Sequence, residues 1–197
     1  MKFRILILRT QKNNMKKYLT IALVSLALFN CKKDEHLHPH DDNELITRVD
    51  LIFTDSANKS TTFSFQDKDG DSRTSPEKFD KIVLAKGKDY TLKIEVYDDT
   101  KTPVGNISDE IVEEADVHLF VFKSNPTGLL TTTLTDKDKN GLPVGLTSTV
   151  KTAAVSGKGT YQVLLKHQPV LNGVKVKTGR EEGGSTDIDL SFEVEVQ

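Results

Sequence analysis

The histidines are the residues of this chain best suited to chemistry. Of five in 197 residues, three crowd into His36-Leu37-His38-Pro39-His40-Asp41-Asp42. Neutral imidazole ligates zinc, copper or nickel, and alternate spacing lets an extended chain turn several rings toward one ion. Such a site would be flexible and only moderately selective. The plainer alternative is a polar spacer whose histidines stay solvated. The remaining two are His118, on the same face of a strand-like segment as Asp116, Phe120 and Phe122, and His167, which follows Tyr161, Val163 and Leu165. If those segments pair antiparallel or face each other, both rings reach one end of the domain. Glu113, Glu114 or Asp116 would then complete a His/carboxylate site. A shared zinc demands ring nitrogens within roughly 4 Å of each other. Otherwise His118 is a satisfied histidine at the edge of the core, and His167 is a loop residue beside Gln168-Pro169.

Two acidic loops resemble the opening of a calcium loop, in which alternating oxygens wrap the ion and glycine permits the sharp turn. One is Asp67-Lys68-Asp69-Gly70-Asp71; the other is Asp136-Lys137-Asp138-Lys139-Asn140-Gly141. In the second, the twelfth position holds Thr147 where a bidentate glutamate belongs. Asp, Asn and Gly are also the residues tight turns require, and turn chemistry explains both loops better. The expected metal is therefore zinc, then copper, with calcium behind both.

Nothing in the sequence supports catalysis. Ser156-Gly157 lacks a nucleophile-elbow context, no His-Glu-x-x-His helix occurs, and no glycine-rich strand-to-helix turn is available to cradle phosphates. Glu181 and Glu182 precede Gly183-Gly184 and would repel an anion there.

These groups must be held by an ordinary apolar core, because the single cysteine, Cys31, has another use. Eleven apolar-rich residues, Leu19 to Phe29, follow Lys16 and Lys17, and Lys32-Lys33-Asp34-Glu35 comes after Cys31. A spanning helix needs roughly 20 apolar residues, so this reads as a cleaved export signal over residues 1–30, its start at Met1 or Met15. Of the 27 basic residues, six precede Cys31 and no acid does, which leaves 21 against 29 acids and a formal charge of −8. That balance makes nucleic acid an unfavourable partner. Residues 31–43 read as an acidic, histidine-rich tether, and residues 44–197 as one domain.

From Leu45 onward, apolar residues recur with period two, the mark of half-buried strands. Leu45, Val49, Leu51 and Phe53 share one face; Ile188, Leu190, Phe192, Val194 and Val196 alternate with acids and a serine. Further strands are expected over Thr61–Phe65, Lys81–Leu84, Tyr90–Tyr97, Asp116–Phe122, Leu130–Thr135, Leu146–Lys151 and Thr160–Lys166. The fold class is all-β: an immunoglobulin-like antiparallel β-sandwich of eight or nine strands. One helical turn interrupts it, with Ser108 as the expected cap of Asp109 to Glu114 and Ile107 stapled onto Val112.

Leu28-Phe29-Asn30-Cys31 resembles the lipobox of bacterial lipoproteins, which implies acylation of Cys31 and a membrane anchor. Lys33-Asp34-Glu35 resembles the signal that sends Bacteroidetes lipoproteins to the outer face of the outer membrane. The chain as a whole resembles small Bacteroidetes lipoproteins with His- and Asp-rich tails. The resemblance rests on Glu44-Leu45-Ile46-Thr47, Asp67-Lys68-Asp69-Gly70-Asp71, the run Ile107 to His118, Asn140-Gly141-Leu142-Pro143-Val144-Gly145-Leu146-Thr147 and Leu165-Lys166-His167-Gln168-Pro169. Members often carry the label "type 1 periplasmic binding fold superfamily protein", an α/β fold against which the period-two pattern argues. Some accompany TonB-dependent receptors, which implies nutrient or metal uptake. The expected function is thus a non-enzymatic, surface-exposed lipoprotein that binds zinc in support of TonB-dependent uptake. The rival classes are an adhesion or glycan-binding module and a structural accessory subunit of a receptor.

Overall fold

A computed structural model describes residues 45–69 and 74–197. Every segment expected to be a strand is one: β1 (Arg48–Thr54), β2 (Ser60–Gln66), β4 (Ile82–Leu84), β5 (Asp89–Asp98), β7 (His118–Asn125), β8 (Leu130–Leu134), β9 (Thr147–Thr152), β10 (Gly157–His167) and β13 (Ser185–Val196). Four two-residue strands join them: β3 (Lys78–Phe79), β6 (Gly105–Asn106), β11 (Val170–Leu171) and β12 (Val174–Lys175). Two residues are too few to show a period, which is why the sequence does not announce them.

The first sheet has the order β3-β2-β1-β5-β9-β8, with β6 beside β5; the second runs β4-β13-β10-β7. The alternation of each strand turns one side inward. Val49, Leu51 and Phe53 of β1 and Leu92, Ile94 and Val96 of β5 meet Tyr161, Val163 and Leu165 of β10 and Phe192, Val194 and Val196 of β13 in one apolar core. Full burial of side chains of this size contributes about 1.5–3 kcal/mol each. Tyr161 bridges the layers, its buried hydroxyl lying 2.6 Å from Thr132 Oγ1 of β8.

Four local expectations give way to tertiary packing. Antiparallel pairing is not universal: β4 runs parallel to β13, Ile82 opposite Val194 and Leu84 opposite Val196. The chain crosses from β3 to the other sheet through only Asp80 and Lys81, so no hairpin reverses it, and the rest of the domain supplies the long connection that a parallel pair needs. Leu45 precedes β1 and is exposed; in that row Thr47 is the first buried residue and Val49 the first buried apolar one.

The helical turn is α1 (Ile107–Glu113), and its N-cap is Asn106, whose Oδ1 accepts from Ser108 N–H. The Ser108 hydroxyl is drawn to β5 instead, accepting from Val96 N–H at 2.7 Å and donating to Val96 O. Nor does Ile107 staple to Val112, which stays 60% exposed. Ile107 and Ile111, one turn apart on the same face, are the buried pair.

Candidate functional site

Phe120 and Phe122 of β7 and Val163 and Leu165 of β10 form a row facing the core, and the register puts His118 directly opposite His167 at the end of that row. The rings stack with centroids 4.9 Å apart and planes 21° from parallel. His118 is 7% exposed.

The approach to β7 brings in the carboxylate. Glu114 ends α1 as its C-cap, and the next turn closes through Val117 N–H donating to Glu114 O at 3.0 Å. Four residues on, His118 Nδ1 lies 3.1 Å from the same carbonyl oxygen. A carbonyl only accepts, so Nδ1 carries the proton, and in the neutral ring Nε2 is then the nitrogen able to ligate a metal. Glu114, His118 and His167 each offer one ligand atom, and the three atoms lie within 4.8 Å of one another. Zinc bonds of 2.0–2.1 Å put tetrahedral ligand atoms about 3.4 Å apart, so side-chain rotations of roughly 1 Å would close the set. Two imidazoles and a carboxylate fit zinc, and three protein ligands leave a fourth position for water or an exchanging group.

Among the expected carboxylates, then, Glu114 joins the histidines. Asp116 turns to Lys139, its Oδ2 2.9 Å from the ammonium.

The acidic series of the later loop is spent on N–H donors. Asp136 accepts from Gly145 N–H at 2.7 Å and Thr147 N–H at 3.0 Å. Asp138 Oδ1 accepts from Asn140 and Leu142 N–H, and its Oδ2 from Lys177 Nζ at 2.9 Å. Asn140 Oδ1 accepts from Lys175 Nζ. Thr147, where a calcium loop would place glutamate, donates its own backbone. In the earlier loop, Asp67 N–H donates to Thr47 O, and Asp69 accepts from the Thr74 hydroxyl. Asp71 lies outside the described residues, as do Cys31, His36, His38 and His40.

Two side chains with no sequence signal fasten the site. Lys177, 4% exposed, donates to Ala115 O at 2.7 Å as well as to Asp138, tying the residue after Glu114 to the turn at Asp138. Burial alone would raise the Asp138 carboxyl, but the Lys177 ammonium and the two N–H donors hold it below the ordinary carboxylate range. Gln168, 1% exposed and next to His167, donates its backbone N–H to Val117 O and its side-chain amide to Arg180 O and Glu182 O. These partners lie too far along the chain for any local pattern to reveal them.

Comparison with protein-family models, with curated proteins and with solved structures gave no match. Among the described residues, no helix is long and apolar enough to cross a membrane.

Proposed function

We propose that this protein binds zinc through Glu114, His118 and His167, without catalysing a reaction. One observation carries the reading: two imidazoles and a carboxylate converge within 4.8 Å at the end of a core-facing row. The three-ligand set suits a site that takes up and releases its ion, since the fourth position stays exchangeable. The sequence around Cys31 supports placing that site on a lipid-anchored, surface-exposed lipoprotein of the outer membrane. The resemblance to lipoproteins found beside TonB-dependent receptors supports a role in uptake. His36, His38 and His40 extend the same chemistry to the tether.

Zinc titration of the purified protein by calorimetry tests the reading. The expected result is one ion bound in a manner lost on His118→Ala/His167→Ala, with any further ion lost on replacing His36, His38 and His40. No heat above buffer with the folded, intact protein would end the proposal.

A further inference from the structure

The outward face of the first sheet holds a second concave site. Val49 and Leu51 take the buried side of β1, so Arg48 and Asp50 point away from the core and line a cleft of about 420 Å³. Its size is within the range of small-molecule sites.

The Arg48 guanidinium is locked in place. Nε and Nη2 donate to Asp99 at 3.0 and 3.1 Å, Nη1 donates to Asp50 Oδ2 at 2.7 Å, and Cζ lies 4.0 Å from the centroid of the Tyr97 ring. Gln66 Nε2 donates to Asp99 Oδ2 at 2.7 Å and braces the far side. A guanidinium has about five N–H donors. Three are used here, so two have no acceptor among the described residues. Beside them, Asp50 is only 8% exposed, and its Oδ1 is buried with no donor among the described residues. A carboxylate oxygen in that condition costs free energy until a donor arrives. The terminal torsion of aspartate is soft, so the carboxylate can swivel to meet one.

The charges around the cleft are already matched. Asp50 and Asp99 offset Arg48, Asp80 sits 2.9 Å from Lys78 Nζ, and Lys68 lies in the field of Asp99. A carboxylate or phosphate could use the spare N–H groups but would face Asp50. A cation could use Asp50 but would face Arg48. A hydroxyl both donates and accepts and satisfies the two together. On the rim, Val104, 49% exposed, offers an apolar surface for C–H groups.

From this we infer that the cleft binds a neutral saccharide, with ring hydroxyls bridging Arg48 and Asp50 and the C–H face resting on Val104. The site uses none of the zinc ligands and stands apart from that reading.

Saturation-transfer NMR on the purified protein, in EDTA, with a panel of neutral mono- and disaccharides tests the inference. We expect transfer to at least one sugar, weakened tenfold or more in both Asp50→Asn and Val104→Lys and unchanged in His118→Ala. Val104 is exposed, so Val104→Lys obstructs the cleft with the core untouched. The inference is overturned by absence of transfer from every sugar to the folded protein, by equal binding in both cleft variants, or by displacement of the sugar by phosphate at equal concentration.

Discussion

His118 and His167 stand directly opposite one another across two antiparallel strands, their rings stacked at 4.9 Å. A slip of one residue in that register would send one ring to the other side of the sheet, so the pair exists only because the apolar rows beside it fix the alignment. Glu114 completes the set from the end of α1.

Zinc affinity should depend on all three side chains and on pH. Imidazole must be neutral to ligate, and its ordinary pKa is about 6.5, so protons compete as pH falls. Competition against a chromophoric chelator should show at least tenfold weaker binding at pH 5.5 than at pH 7.5. Loss of the ion held by Glu114, His118 and His167 should be complete in His118→Ala/His167→Ala and partial in Glu114→Gln, with the tether histidines replaced in every variant. Affinity indifferent to pH would mean that other groups hold the ion.

The Lys177–Asp138 pair is buried on both sides, with 2% and 0% of the two side chains exposed. Removing one partner strands a buried charge, at about 3–5 kcal/mol. Urea unfolding of Lys177→Met should show a loss of that order, and Lys177→Met/Asp138→Leu should recover part of it. If Lys177→Met unfolds at the wild-type midpoint, the pair is not a structural latch.

Acid should weaken the fold through particular carboxylates. Burial tends to raise Asp98, Asp99 and Asp138, but hydrogen bonds and cations outweigh it: Thr100 and Lys101 for Asp98, Arg48 and Gln66 for Asp99, Lys177 for Asp138. All three therefore sit below the ordinary value of about 3.9. The unfolded chain binds more protons in that window, so these groups contribute stability above the ordinary pKa and lose it as pH falls through the folded values. The urea midpoint should be level from about pH 7 to 5 and drop below about pH 4, and Asp98→Asn should make the drop shallower.

Gly184 has φ +69°, and a Cβ there would lie 2.0 Å from the backbone oxygen of His167. Gly184→Ala should cost at least about 2 kcal/mol through left-handed strain and the clash. Because the clash falls on His167, zinc affinity should fall with stability. Calorimetry on the folded fraction separates the two, and unchanged zinc affinity would show that the backbone at His167 is not part of what positions its ring.

The strands were legible because period two is a local signal: Ile188 to Val196 could be read inward and outward residue by residue, and the structure buries Ile188, Phe192, Val194 and Val196 and half-buries Leu190. The helix cap was harder. Asn106 and Ser108 are both good caps, and the choice between them rests on β5 lying close enough to take the Ser108 hydroxyl. Asp116 and Glu114 were equally eligible beside His118 until Lys139 claimed Asp116. The cleft at Arg48 was not legible at all, since Asp99 reaches it only after β1 and β5 have paired.

By itself, then, the sequence determined an all-β body and the kinds of side chain available, because alternation and ligand chemistry are properties of neighbouring residues. Tertiary structure alone decided that two histidines 49 positions apart share a rung, which tautomer His118 adopts, and that Lys177 closes over Ala115. Pairing across such distances depends on which rows of the two sheets bury together, and a local pattern holds no record of that.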